Sequence, residues 1–217
     1  MTVDATLHLS RHDLPGWFGK LPGMGDFAQR RLPEQFRTVW DAWLQTGLFD
    51  LRNRKPDWVE RYLEGPIWFF ILGPQLAGPK PWLGVMLPSV DSAGRYFPLT
   101  LATELVDQHD GQCGRSAAWA RQWWELSAQA ALAALELDLD AKRFESALNE
   151  VFNAEADSFP SNGPGMHLPA ASQSAWRVRP SDDFPPTLSV TGLPTAASFD
   201  ALFGYGADVP RAIEVSR

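Results

Sequence analysis

The side chains best suited to chemistry fall in two short stretches. In residues 16–27, Lys20 and Asp26 bracket a turn that holds Pro22, Gly23 and Gly25 and closes on Phe27. Glycines leave backbone N–H groups unshielded, so such a turn can cradle an anion or present two opposite charges on one small surface. A phosphate loop, however, places its lysine after the glycines and supplies a Ser or Thr for magnesium. Here Lys20 precedes the glycines, no hydroxyl stands ready, and Asp26 would repel a phosphate. The third glycine of a dinucleotide fingerprint is also missing. The second stretch, residues 88–98, gathers Asp91, Ser92, Arg95 and Tyr96 around Gly94, more polar groups than a turn requires. Two readings stay open for it: a recognition cluster, or an internal ion pair between Asp91 and Arg95 that stiffens the tip.

Other candidates are sparser. His8 and His12 have i, i+4 spacing and Asp4 and Asp13 could add oxygen ligands, but no third nitrogen or sulfur ligand accompanies them, so no metal site is expected. Cys113 follows His109 by four residues, yet Asp107 and Asp110 make the surroundings acidic, which opposes a thiolate; an ordinary loop cysteine is the expectation. There is no Gly-x-Ser-x-Gly elbow. The sequence therefore points to no catalytic residue and no cofactor, and the reading is a non-enzyme.

The elements that must position the two stretches follow from hydrophobic spacing. Residues 14–21 read as a strand feeding the first turn. Pro33 starts a helix with Phe36, Val39, Trp40, Trp43 and Leu44 inward, for which Gly47 is a natural stop. A shorter helix from Pro56 turns Trp58, Val59, Tyr62 and Leu63 inward and ends at Gly65 and Pro66. Residues 67–72, 82–87 and 95–101 are apolar runs joined by short connections, an antiparallel meander whose third strand, carrying Pro98, belongs at an edge or holds a bulge. A helix over residues 116–137 turns Trp119, Trp123, Leu126, Ala130, Ala133 and Leu137 inward. Asp140 caps another, with Phe144, Leu148, Val151 and Phe152 facing the core. Residues 153–174 read as an irregular loop, residues 176–179 and 187–191 as short strands, and Thr195 as the cap of a last short helix with Phe199, Leu202 and Phe203 inward. The expected architecture is α/β: a mixed, largely antiparallel sheet covered by helices on both faces, in a single domain over residues 14–204, with flexible segments at 1–13 and 205–217.

Composition bounds the partners. The chain has 217 residues and a formal charge of −7, with 11 basic and 13 acidic residues over positions 1–110 and 8 and 13 beyond. Neither part has the basic excess that nucleic-acid binding needs. The first residues lack a positive region followed by an apolar stretch, and the longest apolar run, residues 67–72, is far short of the ~20 residues of a membrane span. A single cysteine gives no sign of an oxidising compartment. The expectation is a cytoplasmic protein without membrane insertion, self-association being left open.

Two long motifs, Gly-Lys-Leu-Pro-x-x-Gly-Asp-Phe at residues 19–27 and Asp-x-x-Gly-Arg-x-Phe-Pro at 91–98, join the helix carrying Trp40 and Trp43, the strand before Gly73 and Pro74, the strand over 82–88, Ser174-Ala-Trp176 and Gly192-Leu-Pro194. Together they resemble the TagF family, also called ImpM, type VI secretion system-associated proteins of Gram-negative bacteria. The resemblance implies an α/β sandwich without catalysis that represses secretion post-translationally by engaging a cytoplasmic forkhead-associated scaffold protein. Some relatives carry a fused phosphatase domain, whose metal-binding aspartates have no counterpart here. Carried onto this chain, the motif residues suggest a partner-binding patch of Lys20, Pro22, Gly25, Asp26, Phe27, Asp91, Ser92, Arg95 and Tyr96, with Asp26 touching Arg95. The alternative is a phosphate-ligand or nucleotide-binding enzyme or sensor built on loop 19–27.

Overall fold

A computed structural model of the chain describes residues 14–105, 107–108, 112–160, 163–180 and 186–205, with only the backbone of 107, 108 and 112–114. Its centre is the aromatic-rich middle of the chain. Strands β1 (Gly16–Lys20) and β2 (Phe27–Arg30) precede helices α1 (Glu34–Arg54) and α2 (Trp58–Leu63). Strands β3 (Trp68–Leu72), β4 (Trp82–Leu87) and β5 (Leu99–Glu104) then form the meander that the apolar runs require. Strands β6 (Asp107–Gln108) and β7 (Gln112–Ser116), helices α3 (Ala117–Glu136) and α4 (Ala141–Ala154), strands β8 (Gly165–His167), β9 (Gln173–Arg177) and β10 (Leu188–Thr191), and helix α5 (Ala196–Ala201) complete the fold.

Seven strands make one sheet in the order β10-β9-β3-β4-β5-β1-β2, every pairing antiparallel. Its two faces carry separate cores, because successive side chains of a strand point to opposite sides. In β3, Trp68, Phe70 and Leu72 join Phe36, Trp40, Leu44 and Leu51 of α1 and Phe199 of α5. Phe69 and Ile71 join Trp119, Trp123 and Trp124 of α3 and Phe144, Leu148 and Phe152 of α4. The result is the expected α-β-α sandwich in a single domain.

Buried tryptophans tie the layers together through their ring N–H groups, which need acceptors once water is excluded. Trp40 of α1 donates to Thr100 Oγ1 (2.9 Å), Trp124 of α3 to the Gly84 carbonyl (3.0 Å), and Trp68 of β3 to the Leu202 carbonyl (2.8 Å). The Asp140 cap is as read, accepting from the Arg143 N–H (2.8 Å), and Ser116 caps α3 in the same way by accepting from the Trp119 N–H (3.1 Å).

Several expectations need correction. Helix α1 runs past Gly47 to Arg54 instead of stopping. A Cβ at Gly47 would stand 2.2 Å from Phe199 Cε2, so this glycine admits the α5 ring and does not end the helix. Strand β5 is internal, flanked by β4 and β1, because it begins at Leu99, after Pro98, and loses no ladder donor to the proline. Leu63 and Leu137, expected in the core, are 53% and 61% exposed; Leu63 is the last residue of α2 and Leu137 the first beyond α3, where the helix faces have run out. Residues 153–174 are not wholly irregular, since β8 joins β6 and β7 in a small second sheet that also takes Cys113 into a strand opposite Asp107. His8, His12, His109, Asp110 and the 1–13 and 206–217 segments lie outside the described residues; Tyr205 donates to Asp57 Oδ1 at 2.6 Å.

Candidate functional site

Strand β1 and the β4–β5 connection end at the same edge of the sandwich, and this brings the two motif loops into contact. The Ser92 N–H donates to the Met24 carbonyl (2.9 Å), and the Arg95 guanidinium donates through Nη2 to the Gly25 carbonyl. Beneath them Lys20 Nζ lies 2.5 Å from Asp91 Oδ2, with side chains only 5% and 0% exposed. Asp91 is the hub. Its Oδ2 also accepts from Arg95 Nε (2.8 Å), and its Oδ1 from the backbone N–H groups of Ala93 and Arg95 (both 2.9 Å). Burial alone would raise its pKa, but the Lys20 ammonium, these amides and the Arg95 guanidinium outweigh burial and hold the carboxyl well below the usual carboxylate range.

A second bracket fixes the base of the hairpin. The Tyr62 hydroxyl donates to the Ser89 carbonyl (2.9 Å) and accepts from the Ser89 N–H (3.0 Å), while the Ser89 hydroxyl donates to the Lys20 carbonyl (2.8 Å). Complete burial pushes the Tyr62 hydroxyl pKa up, so it stays a neutral donor. Tyr96 packs edge-on against Trp58 and Tyr62, with ring centroids 5.4 Å and 5.7 Å away.

The nine expected patch residues thus divide by exposure. Lys20 and Asp91 are buried and cannot meet a partner; they lock the loops together. Gly25, Asp26, Phe27, Ser92 and Arg95 are exposed, and Pro22 and Tyr96 half-buried. Asp26 does not pair with Arg95 as expected. Its carboxylate turns back to its own strand and accepts from the Phe27 N–H (2.7 Å), because Asp91 already neutralises Arg95 from below. Phe27 is 42% exposed, yet its ring is fixed: stacked on Phe18 (5.6 Å), edge-on to Phe97 (4.8 Å), and with Lys20 Nζ 4.3 Å from its centroid.

The loop geometry bears directly on anion binding. The Gly23 N–H donates to the Leu139 carbonyl (3.3 Å) and the Met24 N–H to that of Leu21 (3.0 Å). A Cβ at Gly23 would meet Asp138 O at 2.5 Å and Asp140 N at 2.7 Å, so this glycine lets the loop lie on the α3–α4 connection. Two of the amides a phosphate would need are already used, and the lysine is spent on Asp91. Among the described residues no cluster of His, Cys, Asp and Glu could hold a metal ion.

Sequence reading missed two supports. Ser89 with Tyr62 carries no pattern, since hydroxyls are common in turns and strands. Glu145 of α4 accepts from Trp17 Nε1 (3.0 Å) and from both terminal nitrogens of Arg31, clamping α4 to the start of β1; the partners are over a hundred residues apart, with no local signal. Burial opposes its charge, but Arg31 and Trp17 together hold its carboxyl below the ordinary range.

No curated protein matches the chain. A solved structure, PA0076 from Pseudomonas aeruginosa PAO1, is similar over 90% of this chain and 97% of its own, with 28% sequence identity and a TM-score of 0.66. The family model of the TagF N-terminal domain, type VI secretion system-associated, matches residues 16–151, which include both motif loops, both supporting brackets and the Glu145 clamp. The chain belongs to the TagF family of type VI secretion system-associated proteins.

Proposed function

We propose that this protein is a non-enzymatic cytoplasmic accessory that represses type VI secretion by binding the forkhead-associated scaffold protein of the apparatus through the corner formed by the two motif loops. The observation that carries this is the pairing of exposure with rigidity: Phe27 and Arg95 reach solvent, while Phe18, Phe97, Lys20 and Asp91 beneath them are buried, the rings packed on Phe27 and the charges joined to each other. Aromatic and arginine side chains dominate protein interfaces, and those fixed before binding lose little conformational freedom on association. Among the described residues no helix is long and apolar enough to cross a membrane. The phosphate-sensor reading is disfavoured by the internal use of the Gly23 and Met24 amides.

The test is overproduction in a secreting strain followed by purification of the protein. The wild type should lower secretion and bring the scaffold with it, and the doubly substituted Phe27→Ala, Arg95→Ala protein should do neither while remaining folded. Repression by the double variant equal to that of the wild type would remove the corner from the account.

A further inference from the structure

The seven-stranded sheet ends at β2, among the described residues, and the outer side of that strand follows from its hydrogen bonding. The Lys20 carbonyl accepts from the Ser89 hydroxyl, on the β5 side of β1. Neighbouring residues of a strand alternate in the direction of their backbone groups. The β1 residues turned towards β2 are therefore Gly19 and Trp17, whose register partners are Ala28 and Arg30. Phe27 and Gln29 direct their backbone groups away from the sheet. The Phe27 N–H is taken by the Asp26 carboxylate (2.7 Å). What remains on the outer side is the Phe27 carbonyl and both backbone groups of Gln29, directly beside the exposed Phe27 ring.

Charge decides what suits this strip. Arg30 and Arg31 close the strand, with side chains 53% and 29% exposed, and share the single carboxylate of Glu145. At the other end stands Arg95, 54% exposed. Asp91 is shared between Arg95 and Lys20, so Arg30, Arg31, Arg95 and Lys20 stand against Glu145, Asp26 and Asp91, which leaves a small local positive excess on a chain whose formal charge is −7. A second copy seated here would bring two such excesses into one seam, so shortness and charge guard the edge against self-pairing. The same charges favour an acidic chain.

We infer that the outer side of β2 receives an acidic, extended segment of the protein partner, which adds to the sheet as a further strand with one of its side chains over Phe27. This rests on the reading that the motif corner binds a protein, and it names the way the partner is held: backbone hydrogen bonds to Gln29 and the Phe27 carbonyl for affinity, the arginines for selection.

The probe is a short peptide of alternating Glu and Val, with an alternating Lys and Val peptide as control, added to the full chain while amide exchange is followed. The Glu peptide should slow exchange at Gln29 by about tenfold or more, and the Lys peptide should leave it unchanged. Gln29→Pro removes the outward N–H without touching the inner ladder and should abolish the response, whereas Gln29→Ala keeps the N–H and should respond as the wild type does. If Gln29→Pro lowers the melting temperature, the exchange comparison of the two peptides on the wild-type chain decides alone. Equal protection by both peptides, none by either, or protection that grows with protein concentration in their absence overturns the inference, the last because a second copy then fills the edge. Should the peptides fail while Phe27→Ala still loses the scaffold, strand addition falls and the corner stands. Should the peptides succeed while the scaffold binds every variant equally, the edge is a docking strip for another partner.

Discussion

Asp91 shows how one residue can be central to a site it does not present. Its carboxylate is the counter-charge on buried Lys20 among the described residues and also orders the turn that aims Arg95. Removing one member of a buried pair leaves the other charge uncompensated, so Asp91→Asn is expected to lower the unfolding free energy at neutral pH by about 3 kcal/mol, read from urea denaturation. The folded-state pKa is depressed, so this contribution is complete above the ordinary carboxylate pKa of about 4 and is lost as pH falls through the folded-state value. The stability difference between wild type and Asp91→Asn should therefore shrink in acid. A gap that stays constant from neutral to strongly acidic solution would mean that the ion pair contributes nothing. Phe27 is the converse case, a side chain whose support is hidden and whose face is open.

At the scale of elements, the loop carrying Gly23 is held by its contact with the α3–α4 connection. Gly23→Ala would drive a methyl group into backbone atoms at Asp138, Leu139 and Asp140, which cannot swing aside as a side chain could. Overpacking of this kind should cost about 1–3 kcal/mol and lower the melting temperature, with scaffold binding weakened as the loop shifts; unchanged melting would show that the loop does not rest there. Much at this scale was legible in sequence. The meander, the Asp140 cap and the α3 and α4 faces follow from period and composition, which depend on neighbours a few residues away. Gly47 was misread because a glycine that admits a ring from α5 looks the same in sequence as one that ends a helix. Strand β2 escaped notice because four residues, Phe27 to Arg30, with one buried side chain, give no alternation to detect. Of the candidate site, the residues and the meeting of the two loops were legible from the motifs. The Asp91–Arg95 pair, one of the two readings of its turn, does form, but the Lys20–Asp91 pair was not legible, because those residues are brought together by the β1–β5 pairing and not by any spacing along the chain.

Among the described residues the sheet carries a core on each face, and the helices of both layers are engaged in those cores. The proposed recognition would use a surface that exists before the partner arrives, one that the cross-layer bonds of Trp17, Trp40, Trp68 and Trp124 hold in one shape. Titration calorimetry of the purified chain against the forkhead-associated scaffold tests this most directly, with the wild type and Phe27→Ala compared in the same buffer. The account predicts a measurable affinity for the wild type that weakens about tenfold or more in Phe27→Ala while unfolding stays cooperative. Equal affinities for the two proteins, or no heat of binding for the wild type, would contradict it.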